Sequence, residues 1–349
     1  MKQNRNFMLL LIPVAAIALA LLVGAVLIVA VGENPLKAYS IMFQGAFGDW
    51  RSTTDTLVKA TPLIFTGLSF AFSAKCNIWN IGAEGQLYMG AVASVAVGIY
   101  AAGLPAVIHL PLAVLAGMLA GGLWATIVAW LKVKHGINEV VTTIMMNYIA
   151  TLIASALVYG PMLEDPYKSP QTCAVLASAE LPVLFQRTKL HAGILIALLC
   201  CVLYYVIFSH STYGYQLTAV GYNREAARFS GMNIGRKIFS CMIISGIFGG
   251  LAGTVEMLGT NHRLIIGFSP AYGSDGIAVA LLGQLNAVGV FLSALLFGGL
   301  RMGAIALQRK TMVPQQIVTI VQGIIILFTI AGSSLSLRLK NHLAKKEVK

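Results

Sequence analysis

The chain has 349 residues, 58% of them hydrophobic and only 10% charged, with a mean hydropathy of +0.81. Soluble domains carry about 25% charged residues, so a soluble enzyme, a disordered chain and a collagen-like chain are excluded. The formal charge of +12 would suggest nucleic acid in a soluble protein; in a membrane protein it follows from Lys and Arg gathering in cytoplasmic loops, and no nucleic-acid partner is expected.

Residues 6–32 carry no charge, enough to cross a bilayer core that needs about 20 apolar residues. This run follows Lys2 and Arg5, is longer than a signal-peptide core and lacks a small-residue cleavage site, so a retained first span over 8–31 is expected. Further spans are predicted at 57–74, 82–102, 110–131, 139–160, 190–209, 238–259 and 314–332. The charge-free run 276–300 reads either as one span or as two short helices broken at Asn286 and Gly289. With the N-terminus inside, the two-helix reading places fourteen of the 24 Lys and Arg in the cytoplasm, those of the tail 333–349 included. The expected fold is therefore all-α and polytopic: a single transmembrane domain over 1–349 of about ten segments, short or broken helices among them, both termini cytoplasmic, in the cytoplasmic membrane. Two excursions leave it, an extracytoplasmic loop over 161–189 and a cytoplasmic loop over 210–237.

Gly117/Gly121 and Gly246/Gly250 are GxxxG pairs, which predict close helix packing. The five cysteines form no CxxC pair and read as small hydrophobes, not as a disulfide or metal framework.

Ionised side chains at the bilayer centre cost about 2.5–3.5 kcal/mol, so they face a bundle interior or a wet path. Glu84 and Glu256 are the acids deepest in apolar surroundings. Asn77, Asn80 and Glu84 are spaced three and four apart and share one face if helical, while Gly82 and Gly85 favour a break; Gln86 closes the run. Glu139, Thr143, Asn147 and Thr151 make a second polar stripe, with Asn147 the deepest. A turn-rich run, 267–276, enters a short segment ending near Gln284 and Asn286, and Ser274 or Asp275 is a candidate cap aiming that helix's N-terminus inward. The Pro62-led stretch 62–74 is a candidate short counterpart. For each polar group, interhelical hydrogen bonding is the competing reading. There is no GxxxxGK[ST] loop, no HExxH, and no nucleophile–base pair, so movement of a solute is favoured over catalysis.

Three runs carry a resemblance: Asn77 to Gln86 with NIGAEGQ, Gly136 to Asn147, and Glu225-Ala-Ala followed by Gly231. They resemble the permease subunits of binding-protein-dependent ABC importers, in the branch of ribose and branched-chain amino-acid permeases. Asn34 to Gly48 (NPL-x-AY…GAFG) and Gly267 to Gly283 (GFSP-x-YG, then GIAVALLG) are similar to nucleoside permeases within it. The likeness runs from about residue 33 to 332. It implies a type II importer-like permease fold and import of nucleosides, purine nucleosides among them. It also implies a separate ABC ATPase that uses ATP and Mg, a second permease chain (a heterodimer rather than a homodimer), and an extracytoplasmic substrate-binding lipoprotein. No cofactor or metal is expected on this chain itself, whose other neighbour is membrane lipid.

Under this resemblance Arg224, Glu225, Ala226, Ala227, Arg228 and Gly231 look like the cytoplasmic coupling helix that docks on the ATPase, though the I-x-LP continuation of classical coupling loops is missing. Asn77, Asn80, Glu84, Gln86, Asn147, Ser274, Asp275, Gln284 and Asn286 are the expected pathway residues, neutral amides suiting a neutral polyhydroxylated solute. The alternatives are the same machine importing ribose or another simple sugar, and an ion-coupled secondary transporter using Glu84 or Glu256.

Overall fold

The computed structural model describes residues 2–165, 169–311, 313–314, 316–325 and 327–328; the charged tail 333–349 lies outside them. Among the described residues there are helices, three isolated β-bridges and no named strand. Six of the described helices are long and apolar enough to cross a membrane, or up to seven if a bent pair counts as one span. The polytopic helical expectation therefore holds.

The described residues form two compact units, one built from those up to Thr56 together with those from Leu296 to 328, the other from Leu57–Leu295. In the first, α1 (Lys2–Ala30) gives way to α2 (Pro35–Phe47), and the two are bent by 115°. Asn34 starts α2 by accepting from Leu36 N at 2.9 Å, and Pro35 occupies the first turn, where its missing N–H costs nothing. Ala38 and Met42 of α2 pack with Ile28, Ala304, Leu307, Val313 and Ile317. Helix α2 falls between the expected spans 8–31 and 57–74, where the sequence pattern predicts no element.

The second unit holds most of α3 (Trp50–Lys75), α4 (Ala83–Tyr100), α5 (Ala106–His135), α6 (Glu139–Tyr159), α7 (Gly193–His210), α8 (Thr212–Tyr222), α9 (Arg224–Phe229), α10 (Ile234–Glu256) with a π-helical turn Met257–Asn261, α11 (Tyr272–Leu282), and the start of α12 (Ala287–Lys310). Its centre is a seam of glycines where α4, α5 and α10 touch backbone to backbone. A Cβ on Gly121 would lie 2.6 Å from Gly250 Cα, and one on Gly90 2.5 Å from the same atom. Both GxxxG pairs thus face each other, as their spacing predicts.

Two expectations are corrected. The stretch from Pro62 is not a separate short helix: α3 runs through it unbroken, and hydroxyls of Thr61 and Thr66 donate to Leu57 O and Pro62 O around the proline. The run 276–300 is broken, but into one 11-residue helix and one 24-residue span rather than two short helices. The break falls at Gly283–Asn286, where Gln284 and Leu285 take left-handed φ of 53° and 54° and Asn286 Oδ1 accepts from Val288 N at 3.2 Å.

The loops sort onto two ends of this unit. At one end Arg224 reaches Asn77 O at 3.5 Å, Lys132 pairs with Glu139 at 2.6 Å, and Lys237 lies over the Tyr213 ring. At the other, Thr172 N donates to Leu264 O, Val175 N to His262 O, Leu176 N to Gly98 O and Leu181 N to Leu258 O. Segments assigned to the cytoplasm by charge gather at the first end, and those assigned outside gather at the second.

Candidate functional site

Between α3 and α4 the chain turns back into the bundle. Asn77 adopts φ 54°, and residues 77–82 are not helical, so Asn77, Asn80 and Glu84 do not form the single helical face their spacing suggests. The reason lies in the surroundings: Asn80, fully buried, donates to Ser245 Oγ at 2.7 Å and to Gln86 Oε1 at 3.2 Å, while its own Oδ1 accepts from Gly82 N and Gln86 Nε2. Ser245 closes the knot on Ser69 O at 2.6 Å. Ser69 lies six residues before the end of α3, so the knot sits about 9 Å back along that helix at 1.5 Å per residue. Asn147 braces the start of α4 from α6, accepting from Gly85 N at 2.7 Å and donating to Ile81 O at 2.9 Å. Backbone groups freed inside a membrane must be satisfied in this way.

Glu84, half-buried in the first turn of α4, reaches a second helix start: its Oε2 accepts from Gly273 N at 2.6 Å. Gly273 packs so tightly that a Cβ there would lie 2.6 Å from Glu84 Cα. The carboxylate therefore sits at the positive ends of both α4 and α11, where a negative charge is favoured. Here too an expectation is corrected. Neither Ser274 nor Asp275 is the N-cap of α11; Ala271 holds that position, and the cap bonds come from Glu84 and from Ser269 Oγ, which accepts from Tyr272 N. Ser274 is exposed and Asp275 half-buried in the first turn, while Gln284 and Asn286 lie exposed at the opposite end of α11. Tyr204 supports that end by donating to Leu285 O at 2.8 Å.

Lys59 escaped the sequence reading because one lysine in an apolar span looks like noise. It lies 3.8 Å from Glu256 Oε1 and 3.5 Å from the Tyr272 hydroxyl. Only the partner acid, 197 positions away in the chain, gives it meaning.

In the basic end, Asn223 Oδ1 accepts from Ala226 N at 3.1 Å and starts α9. Gly231, at φ 78°, ends it in a Schellman motif: Met232 N donates to Ala227 O and Gly231 N to Arg228 O. Arg224, Glu225, Ala226 and Arg228 are exposed and Ala227 is buried beneath them. The side chains of Tyr222 and Phe229 are also exposed, and an open groove of about 490 Å³ is lined by Arg228, Gly231, Met232 and Asn233 to Gly235.

In the opposite end, burial drives the His191 ring down to a pKa of about 4, helped by nearby His262. His191 Nδ1 accepts from Gly193 N at 3.2 Å. Among the described residues no group of His, Cys, Asp and Glu is arranged to hold a metal ion.

A multi-span helical bundle with interrupted helices meeting at a polar centre is the architecture of a membrane transport subunit. Residues 52–330 match the family of branched-chain amino acid transport system permease components, and the chain belongs to it. It is 41% identical over 332 residues to the guanosine ABC transporter permease protein NupP of Bacillus subtilis, covering 94% of each chain. It is 37% identical over 330 residues to the glucose ABC transporter permease protein TsgB13 of Haloferax volcanii (92% of this chain, 87% of that one). To the nucleoside ABC transporter permease protein NupB of Lactococcus lactis it is 32% identical over 335 residues (93% and 92%). No solved structure matches. The chain is thus an integral-membrane permease subunit and not an enzyme; ATP hydrolysis belongs to a separate ATPase subunit.

Proposed function

We propose that this chain is the transmembrane subunit of an ATP-driven importer that moves nucleosides, purine nucleosides among them, inward. The observation that carries the reading is Glu84 at the start of α11. A half-helix N-terminus in a transporter attracts an anion; here the protein's own carboxylate holds that place, and Asp275 lies in the same first turn. A phosphate would be repelled, whereas a neutral solute with hydroxyl donors is matched. The naming of two of the three relatives for guanosine and nucleosides supports the same cargo.

In this reading Glu84, Ser274, Asp275, Gln284 and Asn286 face the path, with Asn77, Asn80, Gln86 and Asn147 shaping its floor. The chain has about ten membrane segments with both termini cytoplasmic and forms one permease domain. The basic end, 210–237, is the coupling loop, and α9 with Gly231 docks on an ATPase that uses ATP and Mg. Loop 161–189 meets a binding lipoprotein. A second, homologous permease chain completes the path and lipid surrounds the rest. The glucose permease relative favours one alternative, a simple sugar as cargo.

The test is uptake of radiolabelled guanosine, adenosine, uridine, ribose and glucose into cells lacking the chain, with and without re-expression, and with an ATPase-dead partner. Nucleoside uptake that needs both chain and ATPase is expected, and Glu84→Ala should lower it at least tenfold with membrane abundance unchanged. Uptake of sugar alone overturns the cargo, and uptake that survives the dead ATPase but collapses with a protonophore overturns the energy source.

A further inference from the structure

One turn beyond Glu84 on the same face of α4 stands Tyr88, and its ring meets Phe268 with centroids 4.8 Å apart at 55°. Phe268 comes from the irregular run between the π-helical turn and α11. That run is held in an uncommon geometry: Gly267 has φ 70° and Ala271, which carries a side chain, has φ 65°. Left-handed backbone at a residue with a Cβ costs about 1 kcal/mol or more, and such outliers persist where surrounding contacts enforce them. The enforcing contacts here are Ser269 Oγ on Tyr272 N, the Phe268 ring against Tyr88, and Gly273 wedged on Glu84. A Cβ on Gly267 would meet nothing within 4 Å, so the glycine serves the turn and not the packing. The result of the strain is a phenyl ring set at a tilt against a buried tyrosine. Phe268 itself remains half-buried, between exposed Gly267 and Pro270.

Resting on the nucleoside reading, we propose that Phe268, backed by Tyr88, is the stacking surface for the nucleobase, with Glu84 accepting from the ribose hydroxyls. The chemistry matches part by part. A base has an apolar π-face that stacks on an aromatic ring regardless of its edge pattern, and a carboxylate accepts hydrogen bonds but donates none, as two vicinal hydroxyls require. Glu84 and Tyr88 are one turn apart on α4, about 5–6 Å between Cβ atoms, so the ring that meets Tyr88 and the carboxylate stand on the same face of that helix. The Gly267 turn places the ring, and Tyr88 packs against it from α4. Phe268 is in this sense a specificity-determining residue for the cargo: it prefers the larger π-face of a purine to that of a pyrimidine, and both to a free sugar.

The experiment compares uptake of guanosine, uridine and ribose by cells expressing wild type, Phe268→Leu, Phe268→Tyr, Phe268→Trp and Tyr88→Leu, with the amount of each variant in the membrane measured. Phe268→Leu keeps the apolar volume and removes the π-face; it is expected to raise the guanosine KM about tenfold, to raise that for uridine less, and so to collapse the purine-to-pyrimidine ratio. Phe268→Tyr should keep that ratio and Phe268→Trp should widen it. Should Phe268→Leu fail to reach the membrane, the Trp variant still decides through the ratio. A ratio unchanged in both the Leu and Trp variants, or loss of all substrates in equal proportion, overturns the inference while leaving nucleoside import standing. Absence of nucleoside uptake in the wild type overturns the function itself.

Discussion

Replacing Gly250 with alanine tests whether the glycine seam holds the second unit together. The added Cβ would lie 3.0 Å from Gly121 Cα and 3.2 Å from Gly121 N, and closer still to the Gly117 carbonyl oxygen. Carbon atoms in contact sit about 3.5–4.0 Å apart, so α10 and α5 must part by roughly 0.5–1 Å. A gap of that size forfeits about a quarter to a half of the dispersion energy of each atom pair across the seam. Overpacked interiors lose about 1–3 kcal/mol; the better helix propensity of Ala over Gly returns up to about 1 kcal/mol. A net loss of about 1–2 kcal/mol is expected, which is roughly a five- to thirtyfold shift in the folded-to-unfolded ratio. The assay is denaturant unfolding of the purified protein in detergent, with Gly323→Ala as control, because a Cβ there meets nothing within 4 Å. Gly117→Ala adds a second check. Its Cβ collides first with the Thr254 hydroxyl, a side chain, so Thr254→Ala should rescue it in part, whereas no side-chain deletion relieves Gly250→Ala. If Gly250→Ala is as stable as wild type, or Gly323→Ala is equally damaged, the seam is not what holds these helices.

His191 is neutral in the fold with a pKa near 4 against an ordinary 6.5, so the unfolded chain takes up its proton first. Stability should be complete above about pH 6.5 and decline as the pH falls toward 4, by roughly 3 kcal/mol in all. A scan of Tm between pH 7.5 and 4.5 checks this, and His191→Gln should flatten the slope in that window even with the His262–Glu180 contact intact. Lys59→Met leaves the buried Glu256 carboxylate without its lysine; about 3–5 kcal/mol for a buried pair, reduced because Lys59 is 30% exposed, gives about 2 kcal/mol. Lys59→Met combined with Glu256→Gln should recover at least half of that in the same unfolding assay, and a simple sum of the two losses would refute the pairing. Gly231→Ala strains the left-handed end of α9 by about 1 kcal/mol and should lower ATPase-dependent uptake while leaving abundance in the membrane unchanged; equal loss of abundance would make the effect structural.

The six long spans, the glycine pairs and the glycine that ends α9 are legible because each is a local pattern with a local cause; of the expected span 314–332 only part lies among the described residues, as a short helix. Gly117, Gly121, Gly246 and Gly250 announce close approach by spacing alone, and the contacts follow. What was not legible depends on partners distant in sequence. The Asn77–Glu84 spacing is helical on paper, yet Ser69, Ser245 and Asn147 supply hydrogen bonds that make a non-helical path into the bundle cheaper. The capping of α11 was sought in its own first turn, where caps usually lie, but it comes from 189 positions upstream. Helix α2 was hidden because its apolar residues number too few for a span and its start is marked only by Asn34-Pro35.

The polar groups nominated from sequence divide according to what the backbone demands of them. In hydrocarbon an unsatisfied N–H or C=O costs several kcal/mol, so an interrupted helix exists only where side chains take over the missing bonds. Asn80 with Gln86, Asn147 and Tyr204 meet that demand at the start of α4 and the end of α11. An amide so engaged has a structural duty before any solute arrives, and its removal should destabilise the fold as much as transport. Glu84 differs in kind. It joins two helix starts through one carboxylate while remaining half-buried, so the bond that shapes the site and the charge that a solute meets belong to the same group.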